Sequence, residues 1–342
     1  MQAETLDPIR DPRWLRFLVR HPDASIFHHP DWLALLKSQY GYKLSAWCIV
    51  DHSGAVLAGL PVARIDSWLT GRHLVTLPFS DRCAPLIDPE WEAASAAMHR
   101  SIVSKQAQAG IRLQIRAPVG GLEEAVAIPE YLHHRLMLTR DSAKVRGLAK
   151  SQIIRGVAKA TREGLVTERE VGLSGLSDFY RLHLRTRRRQ GMPTQPKSFI
   201  LGLGTLFSRE LGFALVTRIN EVPIAAAVFL TFNRTLVYKY GASDERFLKL
   251  RPNNQLFATA IEWGCANNFT ALDFGRTDHD NSGLAAFKRA WGAEEGPLVY
   301  TYLPMSPSAR RSWAVRPLRT IIRHTPVTVS RVLGAVLYRH AG

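Results

Sequence analysis

Apolar and polar positions along the chain run through the same order twice. In the first round, PDWLALLKSQYG (Pro30–Gly41) carries the spacing of an amphipathic helix, and KLSAWCIVD (Lys43–Asp51) alternates as a strand. HSG turns the chain, AVLAGLPVARI (Ala55–Ile65) returns it, and HLVTLPF (His73–Phe79) predicts a third strand. EWEAASAAMHRSIVSKQAQAG predicts a long helix closed by Gly110, followed by the strand IRLQIR (Ile111–Arg116).

The second round opens with helical LSDFYRLHLRTRRRQG (Leu176–Gly191) and FILGLGTLFSRELG (Phe199–Gly212). FALVTRI and PIAAAVFLTF flank the short turn NEV (Asn220–Val222), and TLVYKYGA (Thr235–Ala242) is the next strand. PNNQLFATAIEWGCANN predicts a helix with Pro252 at its start, where a missing N–H costs nothing. FTALDFG (Phe269–Gly275) predicts a last strand that breaks at Gly275. Short turns imply antiparallel hairpins, and the closing helix–strand step adds a crossover. The expected class is α/β (mixed α+β): a largely antiparallel mixed sheet flanked by helices, built twice. The expected domains are 1–145 and 146–305, followed by a basic amphipathic tail at 306–342. The loops PFSDR (Pro78–Arg82) and GASDER (Gly241–Arg246) occupy matching places.

Composition narrows the class. The chain has 342 residues, 46% hydrophobic and 22% charged, as a globular protein with a core requires. Cys48, Cys83 and Cys265 lie far apart, which argues against a disulfide framework or a thiolate zinc site and fits a reducing cytoplasm. The His28–His29 and His133–His134 pairs do not chelate well, because neighbours in a strand point to opposite faces, and no metal is expected. The first residues, MQAETLDPIRDPRW, have no signal-peptide core, and no apolar run reaches spanning length.

The net charge is +16, a field that attracts nucleic acid, lipid headgroups or phosphorylated small molecules. Arg140–Gln190 carries 13 Lys/Arg against 5 Asp/Glu, and Ser306–Gly342 carries 7 Arg and no acid. In the first of these, Arg155, Lys159 and Arg162 form a basic stripe, and Arg187 and Arg188 add to it; such a stripe neutralises a diphosphate or a tRNA backbone. Asn253 and Asn254 stand at a helix start whose N–H groups favour anions. The tail mixes Arg with Trp, Leu, Ile and Val, the pattern of a helix lying on an anionic membrane surface, which predicts a cytoplasmic protein with peripheral contact at the inner face.

Four segments, SQIIRGVAKATREGLV (Ser151–Val166), RRRQGMP (Arg187–Pro193), LDFGRT (Leu272–Thr277) and GLAAFKRAWGAE (Gly283–Glu294), resemble in order and spacing the FemAB-like, peptidyltransferase-type branch of the GNAT acyltransferases. The resemblance spans roughly Phe27–Leu303 and implies two tandem GNAT-like domains. It implies transfer of an activated acyl group to an amine of a cell-envelope or exopolysaccharide precursor, the acceptor being a small or lipid-linked amino sugar or amino acid. Many relatives carry Ile-Arg-Lys-Ala where this chain has Val157-Ala158-Lys159-Ala160, and the helical hairpin of some tRNA-dependent members has no counterpart. Acyl-CoA (acetyl-CoA) is therefore the favoured donor over aminoacyl-tRNA, although the Gly-spaced pyrophosphate loop of simple GNAT enzymes is not evident.

Direct attack by an amine on an activated acyl group asks for three things: a hold on an anionic donor, a neutral amine and a stabilised oxyanion. The resemblance puts Lys288 at the developing negative charge. Asp273 ends an apolar strand, where it either takes the proton, directly or through a water, or caps the turn by bonding loop amides. Arg276 follows directly as a further cation. The alternative function is a non-catalytic basic protein that binds RNA or an anionic membrane on the same fold.

Overall fold

The computed structural model describes residues 1–122, 124–304, 334 and 337–340. They divide into two compact units, the first of Met1–Glu130 with 298–304 and 337–340, the second of Tyr131–Pro297 with 334. The division thus falls at Glu130/Tyr131, fifteen residues before the expected boundary, and inside a strand that the alternation did not reveal. The expected tail at 306–342 lies outside the described residues, apart from 334 and 337–340.

In chain order the elements before the basic stripe are β1 (Gln2–Leu6), α1 (Pro12–Arg20), α2 (Pro30–Tyr40), β2 (Lys43–Val50), β3 (Val56–Ser67), β4 (Gly71–Val75), β5 (Leu86–Ile87), α3 (Glu92–Ala109), β6 (Arg112–Ile115), β7 (Val126–Met137) and α4 (Ser142–Gly147). There follow α5 (Ser151–Arg162), β8 (Val166–Glu170), α6 (Leu173–Gln190), α7 (Lys197–Gly202), α8 (Gly204–Phe207), β9 (Gly212–Ile219), β10 (Val222–Phe232), β11 (Thr235–Ser243), α9 (Pro252–Ala266), β12 (Ala271–Thr277), α10 (Ser282–Ala290) and β13 (Glu294–Leu303). Among the described residues no helix is long and apolar enough to cross a membrane.

The first unit orders its strands β1-β2-β3-β4-β6, antiparallel except for the β4/β6 pair. Residues Thr301–Leu303 of β13 add antiparallel to β6. Its helices are set by local chemistry: Asp11 caps α1 by accepting from the Arg13 N–H, and Gly110, at φ 61°, closes α3.

The second unit repeats the plan in the order β7-β12-β11-β10-β9-β8. Hairpins β9–β10–β11 are antiparallel; α9 then crosses over to β12, which lies parallel to β11. One face of this sheet is apolar and carries Leu215, Phe229, Leu236, Leu272 and Phe274, covered by Phe257 and Ile261 of α9 and by Trp291. The other face meets α6 across β9–β11. There Phe179 stacks on His183, and both rings approach Tyr240. The twofold α/β reading of the sequence is what the molecule has built. FILGLGTLFSRELG, read as one helix, is two short ones, α7 and α8, with a break at Leu203.

Candidate active site at the end of β12

β12 reads ALDFGRT. Leu272 and Phe274 face the core, which puts Asp273 on the opposite face. The strand does not break at Gly275 as the sequence suggests. It continues to Thr277 through a bulge, since Asp273 pairs with Arg135 of β7 and Arg276 with His133. Phe274 and Gly275 together stand opposite His134, and Gly275 absorbs the extra residue at φ 66°. Three residues apart, Asp273 and Arg276 would normally face opposite ways. The bulge puts them on the same face, alongside Tyr131, His133 and Arg135.

His133 Nε2 lies 2.9 Å from Asp273 Oδ1, which also accepts the Gly275 N–H at 2.7 Å. Burial pushes the Asp273 carboxyl up, but the bond to His133, that ring's charge, the Gly275 amide and nearby Arg135 outweigh it and hold the group below its ordinary value. An ionised carboxylate only accepts, so the imidazole donates from Nε2, and in the neutral ring Nδ1 is then the acceptor. Both side chains are about one-fifth exposed, at 19% and 20%, so the pair is within reach of a bound molecule. The Arg276 guanidinium lies over the Tyr131 ring, 4.7 Å from its centre, at the exposed edge of the same cluster. Asp273 therefore does cap its turn, and it also orients an imidazole.

Lys288, which the resemblance puts at the developing negative charge, lies against the β12 bulge. It is 1% exposed, and its Nζ donates to the carbonyls of Gly275 (3.0 Å) and Arg276 (3.1 Å) and to Thr277 Oγ1 (2.8 Å). Three donors meet three oxygens of β12. The ammonium thus fastens α10 to the bulge. His134, turned to this side, bonds Glu295 Oε2 at 2.8 Å, which also takes Arg289 at 2.6 Å. Burial, and then the Lys288 charge, depress the His134 pKa. Adjacent histidines in one strand thus serve opposite faces, each with its own carboxylate.

β11 and β12 pair over only three residues, Thr235–Val237 against Ala271–Asp273, and the two strands part where Asp273 stands. Beyond that point β11 leads through Asp244 into α9. Asp244 is held by Arg246 and Arg185, which draw its carboxyl down to about 2. α5 packs on the first turn of α9, where a Cβ on Gly156 would stand 2.6 Å from Asn254 Nδ2. Asn254 is accordingly buried in this contact, whereas Asn253 is half-buried. Arg155 and Arg162 are exposed and Lys159 half-buried on the outer side of α5. The Arg187 guanidinium bonds the Pro193 carbonyl and Met192 Sδ and so ties down the chain after α6, while Arg188 is exposed.

His133 was not among the residues singled out from the sequence. Its signal was YLHHRLM, in which Tyr131, His133 and Arg135 fall on one face, but the strand itself went unread. The cysteines offer no nucleophile: all three are buried, burial pushes the Cys48 thiol up to about 12, and it raises Cys83 and Cys265 as well. Among the described residues no group of three or more His, Cys, Asp or Glu is placed to hold a metal ion.

Residues 148–289 match the family described as Acetyltransferase (GNAT) domain, a span that contains α5, the parting strands and the β12 bulge. That span makes up most of the second unit. A 75-residue stretch is 32% identical to the Lipid II:glycine glycyltransferase of Staphylococcus aureus; it covers 20% of this chain and 18% of that protein's length. The fold is that of a crystal structure of FemX, with a TM-score of 0.66 at 14% identity over 95% of this chain and 100% of the other. A tandem GNAT protein from the clavulanic acid pathway aligns over 90% of this chain and 100% of its own, with a TM-score of 0.52 at 12% identity. The chain thus carries a match to the GNAT acetyltransferase family over residues 148–289 and shares its fold with FemX.

Proposed function

We propose that this protein transfers an activated acyl group to an amine on a cell-envelope precursor, with the chemistry at the polar face of the β7–β12 pair. The observation that carries this reading is the parting of two parallel strands at Asp273 inside the GNAT-matched segment, directly beside a carboxylate–imidazole pair and an exposed guanidinium. Strand edges that part accept an extended ligand by backbone pairing, and the adjoining side chains act on its reactive end.

Roles follow from position. Of the two exposed guanidinium groups at this face, Arg135 and Arg276, Arg276 stands on β12 itself and stabilises the oxyanion of the tetrahedral intermediate. Asp273 acts through His133. Lys288 is a positioning residue that holds the Gly275–Arg276 backbone in place. Arg155, Lys159, Arg162 and Arg188, with Asn253 at the α9 start, provide the positive surface for the phosphates of the donor. Acyl-CoA, with its diphosphate, and aminoacyl-tRNA both fit that surface. A lipid-linked acceptor fits the similarity to a protein that acts on lipid II.

The test supplies labelled acetyl-CoA or glycyl-tRNA as donor and lipid II as acceptor, and identifies the amide product by mass spectrometry. Product with one donor, reduced about 100-fold or more in Arg276→Ala, is the expected result. Product that is undiminished in Arg276→Ala removes this residue from the site, and absence of product with both donors overturns the assignment.

A further inference from the structure

We infer that His133 is the catalytic base of the transfer, with Asp273 as the positioning residue that fixes its tautomer; this deepens the acyltransferase reading and rests on it. The geometry has three parts. The Asp273 carboxylate takes the Nε2–H of His133 at 2.9 Å, and the Gly275 N–H fixes the same oxygen at 2.7 Å, so the carboxylate cannot swing away. His133 makes no other hydrogen bond among the described residues, which leaves Nδ1 with its lone pair available. The ring is 19% exposed on the face that also bears Arg276, at the level where β11 has left β12.

The charged groups around this ring are Asp273, Arg135 and Arg276 on its own face, with Lys288 and Glu295 behind the sheet. One carboxylate bonded to the ring and two guanidinium groups beside it suit a base that must take up a proton and release it again in each cycle. Asp273 itself makes a poor base, because its carboxyl is held ionised and one oxygen already serves two donors. The imidazole of His133, with Nδ1 not hydrogen-bonded among the described residues, is the better placed proton acceptor for an amine.

The step balances with no further reactant. The neutral amine of the acceptor attacks the acyl carbon, and a C–N bond forms. Nδ1 of His133 takes the proton from nitrogen as that bond closes. The C–S bond of a thioester, or the C–O bond of an aminoacyl ester, then breaks. His133 returns the proton to the departing sulfur or oxygen and is neutral again.

Two measurements test this. Long-range proton–nitrogen NMR on the full chain, with ring nitrogens labelled, reads the tautomer without any substrate. The expected signal is a protonated Nε2 and a bare Nδ1 at His133 in the neutral ring, lost or mixed in Asp273→Asn. A proton on Nδ1 in the wild-type protein overturns the proposal whatever the activity. In the transfer assay, His133→Gln is expected to lower kcat about 100-fold or more with little change in KM, and to remove the fall in rate on the acid side of the pH profile. A His133→Gln protein that keeps its far-UV spectrum, its full kcat and the same acid limb also overturns the proposal, and the acyltransferase reading then stands without it. Loss of transfer in the wild type, by contrast, strikes the reading itself.

Discussion

A buried ammonium with three oxygen partners is a structural device before it is a chemical one. Each of its hydrogen bonds is charge-assisted, and two of its acceptors are carbonyls of the bulge that carries Arg276 and follows Asp273. Lys288→Met keeps the length and removes the charge, and leaves buried oxygens without a donor. The expected loss is about 2–4 kcal/mol of folding stability, read as a lower urea midpoint. A variant that is as stable as wild type yet inactive would restore the oxyanion role that the resemblance implied. Gly275 is the second sensitive position, because at φ 66° a side chain is strained. Gly275→Ala is expected to destabilise by about 1 kcal/mol and to cost more in transfer than in stability, because it moves the amide that holds Asp273. Equal activity in the two proteins would mean that the bulge does not position the carboxylate.

At the scale of elements, the basic helix α5 depends on its closest neighbour. Gly156 lets it lie against Asn254 in the first turn of α9, and a methyl group there would meet the amide at 2.6 Å. Gly156→Ala is expected to cost about 1–3 kcal/mol and to weaken donor binding by shifting Arg155 and Lys159; an unchanged melting temperature and donor affinity would separate the helix from the donor site. Much at this scale was legible in the sequence. The strands Lys43–Val50, Val222–Phe232 and Thr235–Ser243 are apolar runs bounded by short turns, so their pairing could be read from length and loop length. β7 could not, because Pro129 and two polar residues in sequence, His133 and His134, blur its alternation. That omission hid the partner of Asp273, since a cross-strand contact depends on register, which no local pattern fixes. The bulge was misread for a related reason: a glycine after an apolar run signals the end of a strand or a kink within it with the same letters. Lys288 could not be assigned a direction from sequence at all. Spacing put it at the edge of an apolar face, and only the carbonyls beneath it decide that it turns inward.

Among the described residues, His183 and His28 are buried histidines that the fold keeps neutral. Burial, and then the Arg187 charge, push His183 in the second unit down to about 3, and burial pushes His28 in the first unit down to about 4. In the unfolded chain both titrate near 6.5. Above that pH neither state binds the proton and stability is at its full value. Below it the unfolded chain takes up protons that the folded chain refuses, so stability falls with pH until about 4 for His28 and about 3 for His183. Each group adds a slope of up to about 1.4 kcal/mol per pH unit. Urea midpoints are expected to drop steadily between pH 6.5 and 4. A flat profile over that range would mean that these rings are hydrated or paired in solution.

The central claim is that His133 and Asp273 work as one unit on the reacting amine. A double-mutant cycle on kcat tests it most directly, comparing wild type, His133→Gln, Asp273→Asn and the pair. The account predicts that the double variant is no slower than His133→Gln alone, because Asp273 acts only through that ring. Losses that multiply, or no loss in either single variant, would contradict it.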